Sequence, residues 1–367
     1  MPLIGDLRRW ASQMKNDDLT LNRKEFLKLS SSIIGGLAIP GAFGDSASAT
    51  ETKARKGAAL DDSYLAKGLT GMARAEGWFD AHWGAGVLAG YYLCTENHLN
   101  EQTIAGIKKQ LDAVIHLRAA QFAPLPKESA AETSIAEVPK ALLPAITGGL
   151  RAHGHAVIFA SLSMKALRDA PYMAQPTLID ALCGLSRQIG RKKPEKLKGK
   201  TGAKPYADAQ AMIEATFDSL VRFKGLLGRP SIRRPNFTHM TTHTEALMSL
   251  EEMGYPDLAR AGHAGHRVHI SAPVPEIAPA ATVSADRATL EAVMSKSYWN
   301  DRQNQDRWNR RRNTTDNRNG DWIAAGHLFK VLYSYHRLIG RIKDIEKVKL
   351  CSKILLERYV NPEVQGG

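Results

Sequence analysis

The chain has 367 residues, 43% of them hydrophobic and 24% charged, with a formal net charge of +13. That balance gives ample apolar material for a core and excludes a disordered polyelectrolyte. No apolar run reaches the roughly 18–20 residues of a membrane span. The positive charge is scattered, which argues against a nucleic-acid partner.

The first feature in chain order is "NRKEFLKLSSSIIGGLAIPGAFGDSASA", Asn22–Ala49. A basic pair, Arg23-Lys24, precedes a weakly apolar, glycine-containing stretch and an Ala47-Ser48-Ala49 cleavage box. This resembles a twin-arginine export signal, with Lys24 in place of the second arginine. The alternative is an amphipathic N-terminal helix. The signal reading makes residues 1–49 a removed leader and the twin-arginine translocase a transient partner. It places residues 50–367, as one α-helical domain, in the periplasm or outside the cell.

Helical periodicity then dominates. Glu101–Gln121 puts Ile104, Ile107, Leu111, Val114 and Ile115 on one stripe, and Tyr206–Gly228 does so with Met212, Ile213, Phe217, Leu220 and Phe223. "ATLEAVMSKSYW" and "VKLCSKILLERYV" add two more helices, and strand patterns are scarce. The expectation is an all-α fold, either a multi-helix bundle or an α/α-toroid-like array of helix pairs. Basic segments rich in Gly, Pro or Asn near 190–205 and 297–320 read as mobile loops. The cysteines, Cys94, Cys183 and Cys351, are few and far apart, which excludes a disulfide framework, and the lack of a CxxC argues against a thiolate zinc site. They read as small buried hydrophobes.

Four apolar, helix-like segments each carry histidine at comparable intervals: "DAHWGAGVLAG", "AHGHAVIFASL", "THMTTHTEALMSL" and "AAGHLFKVLYSYH". In the first, His82 shares a face with Gly86, Ala89 and Gly90, and Trp78 and Trp83 offer aromatic walls. In the second, His153 and His155 diverge by about 200° on a helix, so His155 is the site candidate and His153 its partner. In the third, His239 and His243 stand at i, i+4 on one face, the spacing of the HExxH zinc pattern without its glutamate. In the fourth, His327 and Lys330 share a face, with Tyr333 nearby and His336 on the surface. His263, His266 and His269 form a later cluster, either metal ligands or a solvated helix end.

Histidine is the natural acid–base near neutral pH and the commonest metal ligand. The expected catalytic set is His155, His243, His327 and Lys330. His82, Trp83, His239 and Tyr333 are expected to contact a small-molecule substrate. The histidines could hold a metal ion, or they could be packing and capping residues of a non-catalytic scaffold.

In their short motifs and order, "AHWGAGVLAGYY", "HGHAVIFASLSMKAL", "THTEALMSLEEMG" and "GHLFKVLYSYHRL" resemble the histidine motifs of the questin-oxidase-like family. Ala81 stands where the family has asparagine, and His155 where it has an apolar residue. The resemblance implies an oxidoreductase acting on an aromatic or quinone-like molecule, with NADPH as a reductant. No GxGxxG follows a strand pattern, so nothing in the sequence marks a nucleotide site.

The export reading has a direct check. Mature protein is expected to begin near Thr50, and replacing Arg23 and Lys24 by glutamine should leave precursor in the cytoplasm. N-terminal sequencing that finds Met1 on exported protein contradicts it.

Overall fold

A computed structural model describes residues 60–97, 101–195, 205–227, 237–271, 273–274 and 327–355. The expected export signal, residues 196–204 of the first expected loop and all of the second lie outside the described residues.

The all-α expectation holds: the described residues form twelve α-helices and no strand. They are α1 (Ser63–Ala73), α2 (Ala81–Thr95), α3 (Glu101–Leu117), α4 (Ala119–Phe122), α5 (Glu137–Ile146) and α6 (His155–Asp169). Then follow α7 (Pro176–Gly190), α8 (Ala209–Val221), α9 (Phe237–Glu252), α10 (Pro256–Ile270), α11 (His327–Ile339) and α12 (Ile345–Leu355). Local chemistry sets several starts. Proline occupies the first turn of α7 and α10, where its missing N–H costs nothing. Asp208 caps α8, its carboxylate accepting the Ala211 N–H at 2.7 Å.

Four helices form the centre. α2 packs on α6, α6 on α9, α9 on α11, and α11 back on α2. Their sequences explain the position. α2 is apolar or small on every face and buried without a break from Ala81 to Cys94, the pattern of a helix surrounded by others. By contrast, the one-sided stripe of α7 leaves Asp180 and Arg187 in solvent. The three cysteines are buried and unbridged. No described helix is long and apolar enough to cross a membrane.

The four inner helices run parallel. Near their N-terminal ends they bring His82, His155, His239 and His327 together. Near their C-terminal ends they meet again around Arg337 of α11. Its guanidinium binds Glu245 of α9 at 2.5 Å, pairs with Glu252 of α9, and lies 3.9 Å from Glu96 at the end of α2. Lys165 of α6 also pairs with Glu96. Cations at helix C-termini complement the aligned dipoles. Parallel neighbours need return segments. Helices α3–α5 supply them between α2 and α6, α7 and α8 between α6 and α9, and α10 follows α9.

Close approach of α1 and α2 depends on glycine. A Cβ on Gly84 would lie 2.4 Å from the Gly68 carbonyl oxygen and 2.4 Å from the Met72 nitrogen, both backbone atoms that cannot swing aside. Gly84→Ala should therefore separate the helices and destabilise the fold by about 1–3 kcal/mol or more. Gly77→Ala, whose added Cβ meets nothing within 4 Å, is the control. Denaturant titration of the two variants checks this, and equal midpoints contradict it.

Candidate metal centre

Two histidines of the central group, His82 and His155, are aimed by contacts at their helix starts. His82 is the second residue of α2, and its Nδ1–H donates to the Phe79 carbonyl at 2.6 Å. His155 is the first residue of α6, and its Nδ1–H donates to the Ala152 carbonyl. A carbonyl oxygen can only accept, so both rings are Nδ1–H tautomers and Nε2 is the basic nitrogen of each. His239 of α9 places its Nε2 3.2 Å from His155 Nε2. His327 of α11 completes the group.

The four rings close a square in the same order as their helices. Centroid separations are 4.4 Å for His82–His155, 4.7 Å for His155–His239, 5.2 Å for His239–His327 and 4.7 Å for His327–His82. One nitrogen from each ring lies within 4.8 Å of all the others. Zinc–imidazole bonds of about 2.0–2.1 Å arranged tetrahedrally put ligand nitrogens about 3.3 Å apart. The 3.2 Å edge already matches that spacing. His82, His155 and His327 are buried, and His239 is half-buried at the rim. Burial, reinforced by the facing His155 and His327 rings, holds His239 well below the usual histidine range. It is therefore neutral at physiological pH, the form that ligates a metal. Phe159 edges onto His82 at 5.1 Å, and Trp78 lies 5.2 Å from His155, so the walls are apolar.

The turn before His155 is strained. Ala152 and His153 have φ of 45° and 52°, the left-handed region that costs L-residues about 1–2 kcal/mol each. Gly154 follows at φ 79°, and a Cβ there would also come within 2.9 Å of the His243 ring. Glu195 lies against this turn. One carboxylate oxygen accepts the His153 backbone N–H at 2.8 Å, and the other sits 3.3 Å from His153 Nδ1. Burial pushes the Glu195 carboxyl up, but the hydrogen bonds from the His153 ring and backbone outweigh it, so it is held below the usual carboxylate range.

Of the residues expected from sequence, His82, His155, His239 and His327 converge and His243 does not. Residues at i, i+4 share a helix face but lie about 6 Å apart along the axis. His239 reaches the square, while His243, one turn deeper, pairs its Nδ1 with His269 Nδ1 at 2.9 Å. Below them His266 bonds Thr244 Oγ1 at 2.8 Å, Thr216 Oγ1 at 3.1 Å and the Tyr206 hydroxyl at 2.9 Å. The cluster on α10 is therefore neither solvated nor part of the square. It is a buried, hydrogen-bonded layer.

Trp83 is buried but turned about 100° from His82, under the Arg118 guanidinium at 4.3 Å. Trp78 is the tryptophan at the site. Tyr333 is about 240° round the helix from His327. Its ring lies 5.9 Å from Tyr92 and 5.8 Å from the Arg337 guanidinium, in the charged layer at the other end. Lys330 is buried one turn beyond His327. His336 is half-buried rather than on the surface, and burial lowers it to about 4. Sequence reasoning missed Glu195, which sits in a lysine-rich run read as a solvated loop.

Burial lowers His243 to about 3 and His263 to about 4, from an ordinary 6.5, and holds His266 and His269 well below it. Unfolded, these groups take up protons near pH 6.5, whereas folded they do not. Stability is therefore complete above about pH 6.5 and falls as pH drops toward 4. The denaturant midpoint should decline steeply between pH 7 and pH 4.5, and a flat profile contradicts this reading. Comparison with protein-family models, curated proteins and solved structures returns no match.

Proposed function

We propose that the chain is a metal-dependent oxidoreductase, exported as a folded protein, with one transition-metal ion held by His82, His155, His239 and His327. The observation that carries this is the square itself. Four separate helices deliver one imidazole each to a spot where the ligand nitrogens lie within 4.8 Å of one another. A neutral all-imidazole set suits copper, iron, nickel or zinc, and copper heads the affinity order for such ligands. A redox-active ion would supply one-electron chemistry. The Phe79 and Ala152 carbonyls hold the His82 and His155 rings in the ligating tautomer. Phe159 and Trp78 place apolar rings against His82 and His155. The half-buried edge at His239 is the side from which a small molecule would approach. The motif resemblance to questin-oxidase-like proteins supports an aromatic or quinone-like substrate.

A second reading has its own support. Four protein ligands fill a tetrahedral site, as in structural zinc centres, whereas catalytic zinc keeps a position open. The protein would then be a zinc-stabilised scaffold.

Metal analysis and oxygen uptake with a hydroquinone panel test both readings. The first predicts about one copper or iron per chain, turnover, and loss of both in His82→Ala, His155→Ala, His239→Ala and His327→Ala but not in His243→Ala. Zinc without turnover, with unfolding on chelation, favours the scaffold. Protein that binds no metal overturns both.

A further inference from the structure

We infer that Glu195 is a positioning residue for the metal centre: by clamping the left-handed turn Ala152–Gly154, it fixes the direction of His155 and so sets metal affinity. This rests on the reading of the square as a metal site.

Three contacts hold the turn. Ala152 and His153 both sit in the left-handed region, where neither side chain belongs. Two non-glycine residues in succession relax unless their surroundings over-determine them. Glu195 supplies that restraint twice. Its carboxylate takes the His153 backbone N–H at 2.8 Å, and its own backbone N–H donates to the Leu150 carbonyl at 2.7 Å. The segment that carries Glu195 is also tied to the same turn at Arg151, whose Nε donates to the Lys192 carbonyl at 3.0 Å. The turn is thus held at Leu150, Arg151 and His153.

The held turn determines where the Ala152 carbonyl points, and that carbonyl receives the His155 Nδ1–H. If the turn relaxes, the acceptor moves and the His155 ring loses both its tautomer preference and its orientation. Its Nε2 then leaves the position 3.2 Å from His239 Nε2. Outer groups that orient a ligating imidazole typically change metal affinity 10–100-fold when removed. Glu195 reaches the centre only through the turn. The same segment places Lys192 Nζ 5.2 Å from the Trp78 ring centroid, so it also borders the aromatic wall.

The test uses the full mature chain, with Co(II) as a spectroscopic probe and a chelator competition for affinity. Glu195→Ala should weaken Co(II) about 10–100-fold, whereas Glu195→Gln, whose amide oxygen still accepts the His153 N–H, should stay within about threefold of wild type. Adding Ala152→Gly to Glu195→Ala relieves the left-handed strain and should recover part of the loss. In metal-free protein, nitrogen NMR should show His155 as the Nδ1–H tautomer in wild type and Glu195→Gln, and as a mixture in Glu195→Ala. Wild-type affinity and an unchanged His155 tautomer in Glu195→Ala overturn the inference while leaving the metal centre intact. A Glu195→Gln as weak as Glu195→Ala also overturns it, because charge rather than the clamp would then govern affinity. Wild-type protein that binds no Co(II) overturns the metal reading and this inference together.

Discussion

Four imidazoles that each lie near a helix N-terminus can meet at one point only if the four helices bring the same end to it. That requirement organises the molecule. His82, His155, His239 and His327 sit near the described N-terminal ends of α2, α6, α9 and α11, and those helices pack in a closed ring in the same order as the imidazoles. Antiparallel neighbours would have sent alternate histidines to opposite ends. The parallel arrangement needs helices that return the chain, and the outer layer of α3–α5, α7, α8 and α10 consists of these. It also aligns helix dipoles, which is unfavourable unless the negative ends are compensated. Arg337, Lys165 and Arg168 lie at those ends and are tied to Glu96, Glu245 and Glu252 and to the Met253 carbonyl.

The two ends therefore have complementary chemistry. At one, four imidazole rings face one another in an apolar setting. At the other, full charges are paired across the same four helices. Between the square and the outer helices lies a second histidine layer, His243, His266 and His269. Its hydrogen bonds to one another, to Thr216, Thr244 and Tyr206 let it serve as packing. Histidine in this protein thus does two jobs. Carbonyl anchoring of Nδ1 distinguishes His82 and His155 of the square, whereas the second layer is held by hydrogen bonds among its own rings and to hydroxyls.

Much of this was legible in the sequence. The all-α class followed from helical periodicity, and the four segments that build the centre were identified by their histidines alone. The close contact of α2 with α1 falls at Gly84, off the face that His82 shares with Gly86, Ala89 and Gly90. Other features were not legible for physical reasons. Periodicity fixes a face but not a depth, so His239 and His243 were indistinguishable until the axial position of α9 was known. Adjacent residues diverge around a helix, yet which of Trp78 and Trp83 meets the histidines depends on how the turn before α2 folds. Glu195 was hidden because its role is tertiary. Its neighbours Lys192 and Lys193 give the segment the composition of a solvated loop, and only the strained turn it touches reveals its function. "AHGH" was conspicuous, but its left-handed backbone could not be read from residue types when only one of its three left-handed residues is glycine.

The central claim is that the four imidazoles share one ion. X-ray absorption at the metal edge of protein loaded with a single equivalent of copper or zinc tests it most directly. A shared ion gives a first shell of nitrogen alone at about 2.0 Å, with the outer-shell scattering of four imidazoles. A shell dominated by oxygen, or one with two imidazoles or fewer, would place the ion elsewhere and contradict the account.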